Sequence, residues 1–389
     1  MRLLHTLTVN LCRMVLALTF VFSGFVKAVD PMGTQYKIAD YMAAWGMAGW
    51  LPSWATLAVA VGMAAVEFCL GLWLLFAIRR RMVSRLLLLI MLAMTPLTLW
   101  LALDDPIHDC GCFGDAVVLT NWQTFGKNMV LLTAAAVVAA WPTRMPRFIS
   151  PNLQWIVTHY SALFILLVSA YSLYYLPLFD FRPYHIGTDI RQALAQRWDT
   201  VGSPYTDFEI ERADNGENIT DMVATDRGYT MLLVAPQLET ADDSRPDLLN
   251  RLYEYALEHD YHFFCLTASG QEAQQRWRDM TGAEYPFCQT DPIVLKTMIR
   301  SNPGLLLLHD GTIIRKWSNN DLPGEESLTK PLAASRMGQL PDNSVARRIS
   351  YILMWFVLPL ALLVIADRLW LWTRWVRRHK KRESKNIKH

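Results

Sequence analysis

The chain has 389 residues, 52% of them hydrophobic and 19% charged, with a formal net charge of +2. It is too apolar for a purely soluble protein and too charged to lie wholly in lipid, so membrane helices joined to a sizeable soluble part are expected. Residues 179–346 carry 15 Lys+Arg against 26 Asp+Glu, a net −11, which leaves +13 on the rest; one acidic block in a basic chain does not suit a nucleic-acid binder.

Six apolar stretches read as membrane spans, because about 20 helical residues cross the hydrocarbon core. They are residues 10–29, 54–78, 82–103, 122–141, 155–178 and 349–372. The first has no small-residue cleavage site after it and reads as a retained helix rather than a secretory signal. Residues 33–51 are too short and polar to span. They suit a helix lying on the outer surface, with Trp50 and Trp54 as interfacial anchors.

Arg79, Arg80, Arg81 and Arg85 follow the second span, Arg144 and Arg147 the fourth, and a basic tail (residues 373–389) the sixth, whereas residues 104–121 hold four Asp and no Lys or Arg. The positive-inside rule then places both termini in the cytoplasm and residues 104–121 and 179–346 outside. Arg347 and Arg348 run against the rule, but they follow a long translocated segment, where such charges weigh less. The layout suits a bacterial inner (plasma) membrane, with residues 179–346 periplasmic and the tail on anionic lipid.

Two ionisable residues stand out in the membrane part. Glu67 lies mid-span, where a carboxylate facing lipid costs several kcal/mol, so it should face a partner. A hydrogen bond between helices, a proton relay and a polar wall for a quinone-type ligand are the readings open to it. Lys27, near the outer end of the first span, either snorkels to the headgroups or pairs with Glu67.

Between the third and fourth spans lies Cys110-Gly111-Cys112-Phe113-Gly114. Gly111 permits the sharp turn a Cys-x-Cys pair needs. A disulfide in so small a ring is strained, and strain favours oxidising a partner over serving as a staple. Lys127, one turn into the next span, would stabilise a thiolate, while Asp104, Asp105, Asp109 and Asp115 would oppose it. The rival readings are a metal site from His108, Asp109, Cys110 and Cys112, which no second cluster completes, and a passive disulfide plugging the bundle mouth.

Phe22-Ser23-Gly24-Phe25-Val26-Lys27, Asp30-Pro31, Asp40-Tyr41 and Glu67 resemble the start of the DoxX/MauE membrane family. The Cys110–Gly114 loop, with Asn121-Trp122 and Lys127-Asn128, is similar to its MauE branch. The resemblance covers about residues 1–145 and implies a four-helix membrane unit. It also implies a connection with maturing disulfide-rich methylamine dehydrogenase (MauE) or with quinone-linked thiosulfate oxidation (DoxX).

The soluble part, core about residues 205–335, reads as α/β. Strands are expected at residues 230–234, 261–267, 285–288, 304–308 with His309, and 312–317, and helices at 246–258, 270–280 and from Asp291-Pro292 to Ile299. Asp310-Gly311 is a hairpin signal. This order, with Ser301-Asn302-Pro303 before the penultimate strand, resembles the thioredoxin fold, especially its membrane-tethered TlpA-like members, and Pro303 matches that family's cis-proline. The family's Cys-x-x-Cys would fall at residues 235–244, where this chain has no cysteine, so dithiol exchange at that position is excluded. Cys265 and Cys288 suit buried strand positions and would form a disulfide only if their strands place them together. Cys12 and Cys69 suit packing in spans. His185, His259 and His262 are scattered, and no phosphate loop, nucleophile elbow or zinc-helix motif is present.

The expected protein is a six-span membrane protein: a four-helix unit (residues 1–145), a fifth span (153–178), an exported thioredoxin-like domain (179–346) and a sixth span (349–372). Its expected function is thiol–disulfide transfer or assembly of exported proteins. Cys110 and Cys112 are the exchanging pair, Lys127 the thiolate stabiliser, and Glu67 with Lys27 a buried polar pair. Asn128 and Pro303 are binding residues, and an exported client or soluble redox protein is the partner. The alternative is a scaffold or a small-ligand binder, with quinone as the one cofactor suggested.

Overall fold

The computed structural model describes residues 2–107, 109–195, 205, 208–341 and 345–386. The chain divides into two compact units, Met1–Ala170 with Val345–His389, and Tyr171–Ser344.

The first unit is helical. Its chain runs through α1 (Arg2–Val29), α2 (Pro31–Ala44), α3 (Ser53–Phe76), α4 (Arg80–Asp104), α5 (Asn121–Ala140) and α6 (Gln154–Tyr174), and returns as a C-terminal segment, Val345–Ile352, Leu353–Val357 and Leu358–Asn386. Among the described residues five helices are long and apolar enough to cross a membrane: Leu3–Val29, Ser53–Phe76, Arg80–Asp104, Pro151–Tyr174 and Val345–Arg377. Residues 122–141, expected as a sixth, form α5 but lie outside this set, because Gln123, Lys127 and Asn128 make its first half polar. Even so, α5 runs antiparallel beside α4 along its length. Asn121 at its start donates to Asp105 at the end of α4 (2.7 Å), and Arg80 at the start of α4 donates to the carbonyls of Thr143 (3.1 Å) and Met145 (2.8 Å), just past the end of α5.

α1 and α3 form the tightest helix pair because glycine lets their backbones touch. A Cβ on Gly24 would lie 2.4 Å from the Phe68 backbone nitrogen, and one on Gly71 would lie 2.7 Å from that of Val21. Leu16, Leu70, Leu74, Leu87 and Leu131 fill the core between α1, α3, α4 and α5, while Leu3, Leu7, Leu11 and Leu18 present an apolar outer face suited to lipid.

The fully buried Arg13 ties α1 to the end of α3 and to the segment after α5. Its guanidinium donates to the carbonyls of Leu74 (3.0 Å), Leu75 and Pro146 (3.0 Å) and lies 4.6 Å from the Phe148 ring. Leu74 and Leu75 end α3, so the cation meets the negative pole of that helix. In the C-terminal segment, Pro359 has no N–H for the Trp355 carbonyl one turn back. The helix opens into a π turn at Leu353–Val357, and the Tyr160 hydroxyl donates to that carbonyl instead.

The second unit is α/β. It holds α7 (Ile190–Ala195), β1 (Glu211–Arg212), α8 (Thr220–Thr225), β2 (Tyr229–Val234), α9 (Pro246–Glu258), β3 (His262–Thr267), α10 (Gln271–Thr281), β4 (Phe287–Gln289), α11 (Pro292–Met298), β5 (Gly304–His309) and β6 (Thr312–Ser318). The sheet order is β1-β4-β3-β2-β5-β6, with β2, β3 and β4 parallel and β1, β5 and β6 antiparallel to their neighbours. β2 and β5 are interior strands buried on both sides, which is why they read as unbroken apolar runs. Asp310 and Gly311 both have positive φ, as a two-residue hairpin turn requires. The edge strand β1 carries no apolar alternation and was not anticipated.

The pairing separates Cys265 from Cys288. Cys265 lies opposite Phe287, and Cys288 opposite Leu266, one residue on. Side chains alternate across a sheet, so the two sulfurs point to opposite faces. Cys265 joins the core with Leu233 and Trp277, and Cys288 the core with Phe208 and Leu266. Neighbouring strands therefore do not bring this pair together, and both cysteines are free.

Candidate functional site

Cys110 and Cys112 sit in the loop that joins α4 to α5. Asn121 pins the loop's entry through Asp105 and the Ile107 carbonyl (2.8 Å), and Thr120 with Gln123 caps the start of α5. Gly111 turns the chain at φ 65° between the cysteines. Phe113 then packs on Phe22 of α1 (5.4 Å between centroids), and the Lys127 ammonium lies 4.3 Å from its ring centre. The loop thus folds back into the mouth of the bundle.

The two sulfurs lie 2.9 Å apart with no bond between them; the Cys110 residue is buried and the Cys112 residue partly exposed. One can hydrogen-bond the other, so the pair holds its first thiolate far more readily than its second. That hydrogen bond, with Lys127 and Lys27 nearby, pulls Cys112 below the usual thiol range, while the loss of it and burial push Cys110 up. α2 covers the outer side. Its Tyr41 hydroxyl donates to the Cys110 carbonyl (3.2 Å), its Lys37 forms an ion pair with Asp109, and burial raises the Tyr41 pKa.

Beneath the loop, Lys27 of α1 meets Glu67 of α3, its ammonium 2.6 and 2.8 Å from the two carboxylate oxygens. The glycine contact between these helices sets the pair: Gly24 is one turn before Lys27, and Gly71 one turn after Glu67. Ser23 joins the ion pair to the loop. Its Oγ stands 2.7 Å from Glu67 Oε2 and 2.7 Å from the Cys112 carbonyl oxygen, and its one proton serves one or the other. Asn128 donates to Thr98 of α4 (3.2 Å). Ser23, Lys27, Glu67, Cys112, Lys127 and Asn128 share in lining one cavity of about 40 Å³. That is room for water, of which one molecule needs roughly 10–15 Å³ on this scale, and far below the ~300–1,000 Å³ of small-molecule pockets.

The structure therefore gathers Lys27, Glu67, Cys110, Cys112, Lys127 and Asn128 at one place, and Pro303 belongs to the other unit. There the Asn302–Pro303 bond is cis, and Asn302 donates to the Gln237 carbonyl (2.7 Å) while its own carbonyl accepts from Asp242 (2.9 Å). That is the 235–244 loop without cysteine. Among the described residues no three of His, Cys, Asp and Glu cluster in a way that could hold a metal ion, and His108 lies outside them. Ser23, Lys37 and Thr98 were missed from sequence. Ser23 alone carried a signal, lying one turn from Lys27 on the same helix face.

Comparison with known proteins gives three findings. No curated protein matches the chain. The solution structure of a candidate protein disulfide isomerase from Bacteroides thetaiotaomicron is 16% identical over 28% of this chain and 73% of its own, with a TM-score of 0.24, too low to establish a shared fold. Residues 5–142 match the family model described as methylamine utilisation protein MauE. With its five span-length apolar helices, the chain is a multi-pass membrane protein whose N-terminal part carries this MauE match.

Proposed function

We propose that the protein carries out thiol–disulfide exchange at the outer face of a bacterial inner membrane, either as a redox carrier or as an assembly factor for exported proteins. In this reading α5 crosses the membrane beside α4, giving six spans, cytoplasmic termini and a periplasmic segment at residues 179–346. Cys112, the more acidic thiol, is the attacking or leaving sulfur, Cys110 resolves the mixed disulfide, and Lys127 stabilises the thiolate. The segment around residues 205–335 is a thioredoxin-like docking domain without its own cysteine pair. The observation that carries the reading is the pair of free sulfurs 2.9 Å apart beside an ammonium group.

The test is to trap Cys110 and Cys112 with a thiol-reactive mass tag in membranes, before and after mild reduction. A pair that gains two tags on reduction and loses them with a disulfide-bearing partner supports exchange. A pair that never changes state defeats it, and the protein is then a scaffold or small-ligand binder centred on the buried Lys27–Glu67 pair. A quinone in that place would require the 40 Å³ cavity to open.

A further inference from the structure

Exchange by two cysteines does not by itself call for a buried lysine–glutamate pair. Yet Lys27 and Glu67 line the cavity that Cys112 lines, and Ser23 touches both Glu67 and the Cys112 carbonyl. The Cys110 hydrogen bond and Lys127 favour a thiolate at Cys112, but burial and Glu67 oppose it, so the departing proton needs a nearby acceptor. A new charge in a water-poor site is expensive unless it is paired, and Lys27 is already paired with Glu67 at 2.6 Å.

A proton moving from Cys112 to Glu67 meets that need. The cavity's total charge is unchanged, and Lys27 exchanges one anionic partner for another. We propose that Glu67 is the proton acceptor for the Cys112 thiol and that Lys27 then becomes the thiolate's counter-ion. This rests on the exchange reading above and adds the catalytic acid–base group to it.

The step balances. The Cys112 S–H bond breaks, and its proton forms the O–H bond of neutral Glu67, carried by water in the cavity that both residues line. The thiolate attacks one sulfur of a protein disulfide, forming a mixed disulfide and expelling a thiolate, which takes the proton from Glu67. Cys110 then attacks Cys112, the mixed disulfide breaks, and the second partner sulfur leaves with the Cys110 proton. The cysteine pair is oxidised by two electrons, and the partner disulfide is reduced by two electrons and two protons. In reverse, the same acid protonates Cys112 as it leaves.

The charged or titratable groups around Cys112 are Lys27 from α1, Glu67 from α3, Lys127 from α5, Tyr41 and Lys37 from α2, and Asp109 and Cys110 from its own loop; α4 supplies uncharged Met91 and Met94 to the cavity. Lys37 is held by Asp109, and Lys127 lies over Phe113. Glu67 is the one carboxylate in this group that lines the cavity with Cys112.

The test is the pH profile of Cys112 alkylation by iodoacetamide, read by peptide mass spectrometry on reduced full-length protein in lipid nanodiscs. A lone thiol loses about tenfold in rate per pH unit below its midpoint, because only the thiolate reacts. An internal proton transfer adds thiolate without changing the proton count, so the wild-type rate flattens to a floor that is pH-independent for as long as the Cys112–Glu67 pair holds a single proton. Glu67→Gln abolishes the floor and lowers the midpoint, since Lys27 is left to the sulfur. Lys27→Met abolishes the floor and raises the midpoint. Glu67→Asp keeps a floor. A wild-type profile that falls about tenfold per unit with no floor overturns the proposal even if no variant folds. A floor in a pair that never exchanges overturns the exchange reading instead, so the two failures are distinguishable.

Discussion

Lys37 of α2 pairs with Asp109, the residue just before Cys110, and the stem of Lys37 lies against Gly111. With the Tyr41 hydroxyl on the Cys110 carbonyl, this straps α2 across the outer side of the cysteine loop. Lys37 is 32% exposed, so the pair is worth at most about 1 kcal/mol. Lys37→Ala should therefore raise the maleimide reaction rate of Cys110 by roughly fivefold at low salt, since about 1.4 kcal/mol is tenfold. An unchanged rate would mean that α2 does not limit access.

The Gly24–Phe68 contact predicts a sharp steric limit. Gly24→Ala or Gly71→Ala puts a methyl into opposing backbone and should force α1 and α3 apart, costing about 1–3 kcal/mol or more. Gly62→Ala, with nothing within 4 Å, should be neutral or slightly stabilising. Thermal denaturation of the three proteins in one detergent separates the cases.

Arg13→Met should destabilise the helical unit by about 3–5 kcal/mol, because the carbonyls at the end of α3 lose their charged donor. Arg13→Lys should recover only part of this, since one ammonium cannot reproduce the planar fork. Hydrogen exchange along the last turn of α3 reports the loss directly.

Acid should weaken the sheet unit through Asp180. Burial would raise its pKa, but Lys316 (2.8 Å) and Arg182 (2.8 Å) hold the carboxylate and together outweigh that burial, leaving it below the usual 3.8. A carboxylate with a lowered folded-state pKa contributes its full stability above pH 3.8 and loses it as pH falls through the folded value. Hydrogen exchange of β2 and β5 should therefore accelerate as pH drops below about 4, beyond the intrinsic chemistry. Asp180→Asn should remove that acid limb and lower stability at neutral pH, because Lys316 and Arg182 stay buried without a carboxylate.

Several elements were legible because their determinants are local. Runs of apolar residues mark α1, α3 and α4, and the Asp310-Gly311 pair marks the β5–β6 hairpin through its required positive φ. The same locality leaves residues 122–141 undecided. An apolar count marks a full span there, but α5 opens with Gln123, Lys127 and Asn128, two of which line the internal cavity. β1 escaped because two polar residues on a sheet edge carry no hydrophobic alternation.

The amino-acid order alone determined which helices are apolar, where the chain turns, and which chemically active residues exist: two thiols, an intramembrane acid and two lysines. It also determined the absence of a cysteine at residues 235–244. Only the folded arrangement decided who meets whom. Gly24 and Gly71 bring Lys27 to Glu67, Ser23 connects that pair to Cys112, and sheet register sends Cys265 and Cys288 to opposite faces. Backbone preferences act over a few residues, whereas helix rotation and strand register are set by close packing between segments far apart in the chain, and no single segment encodes them.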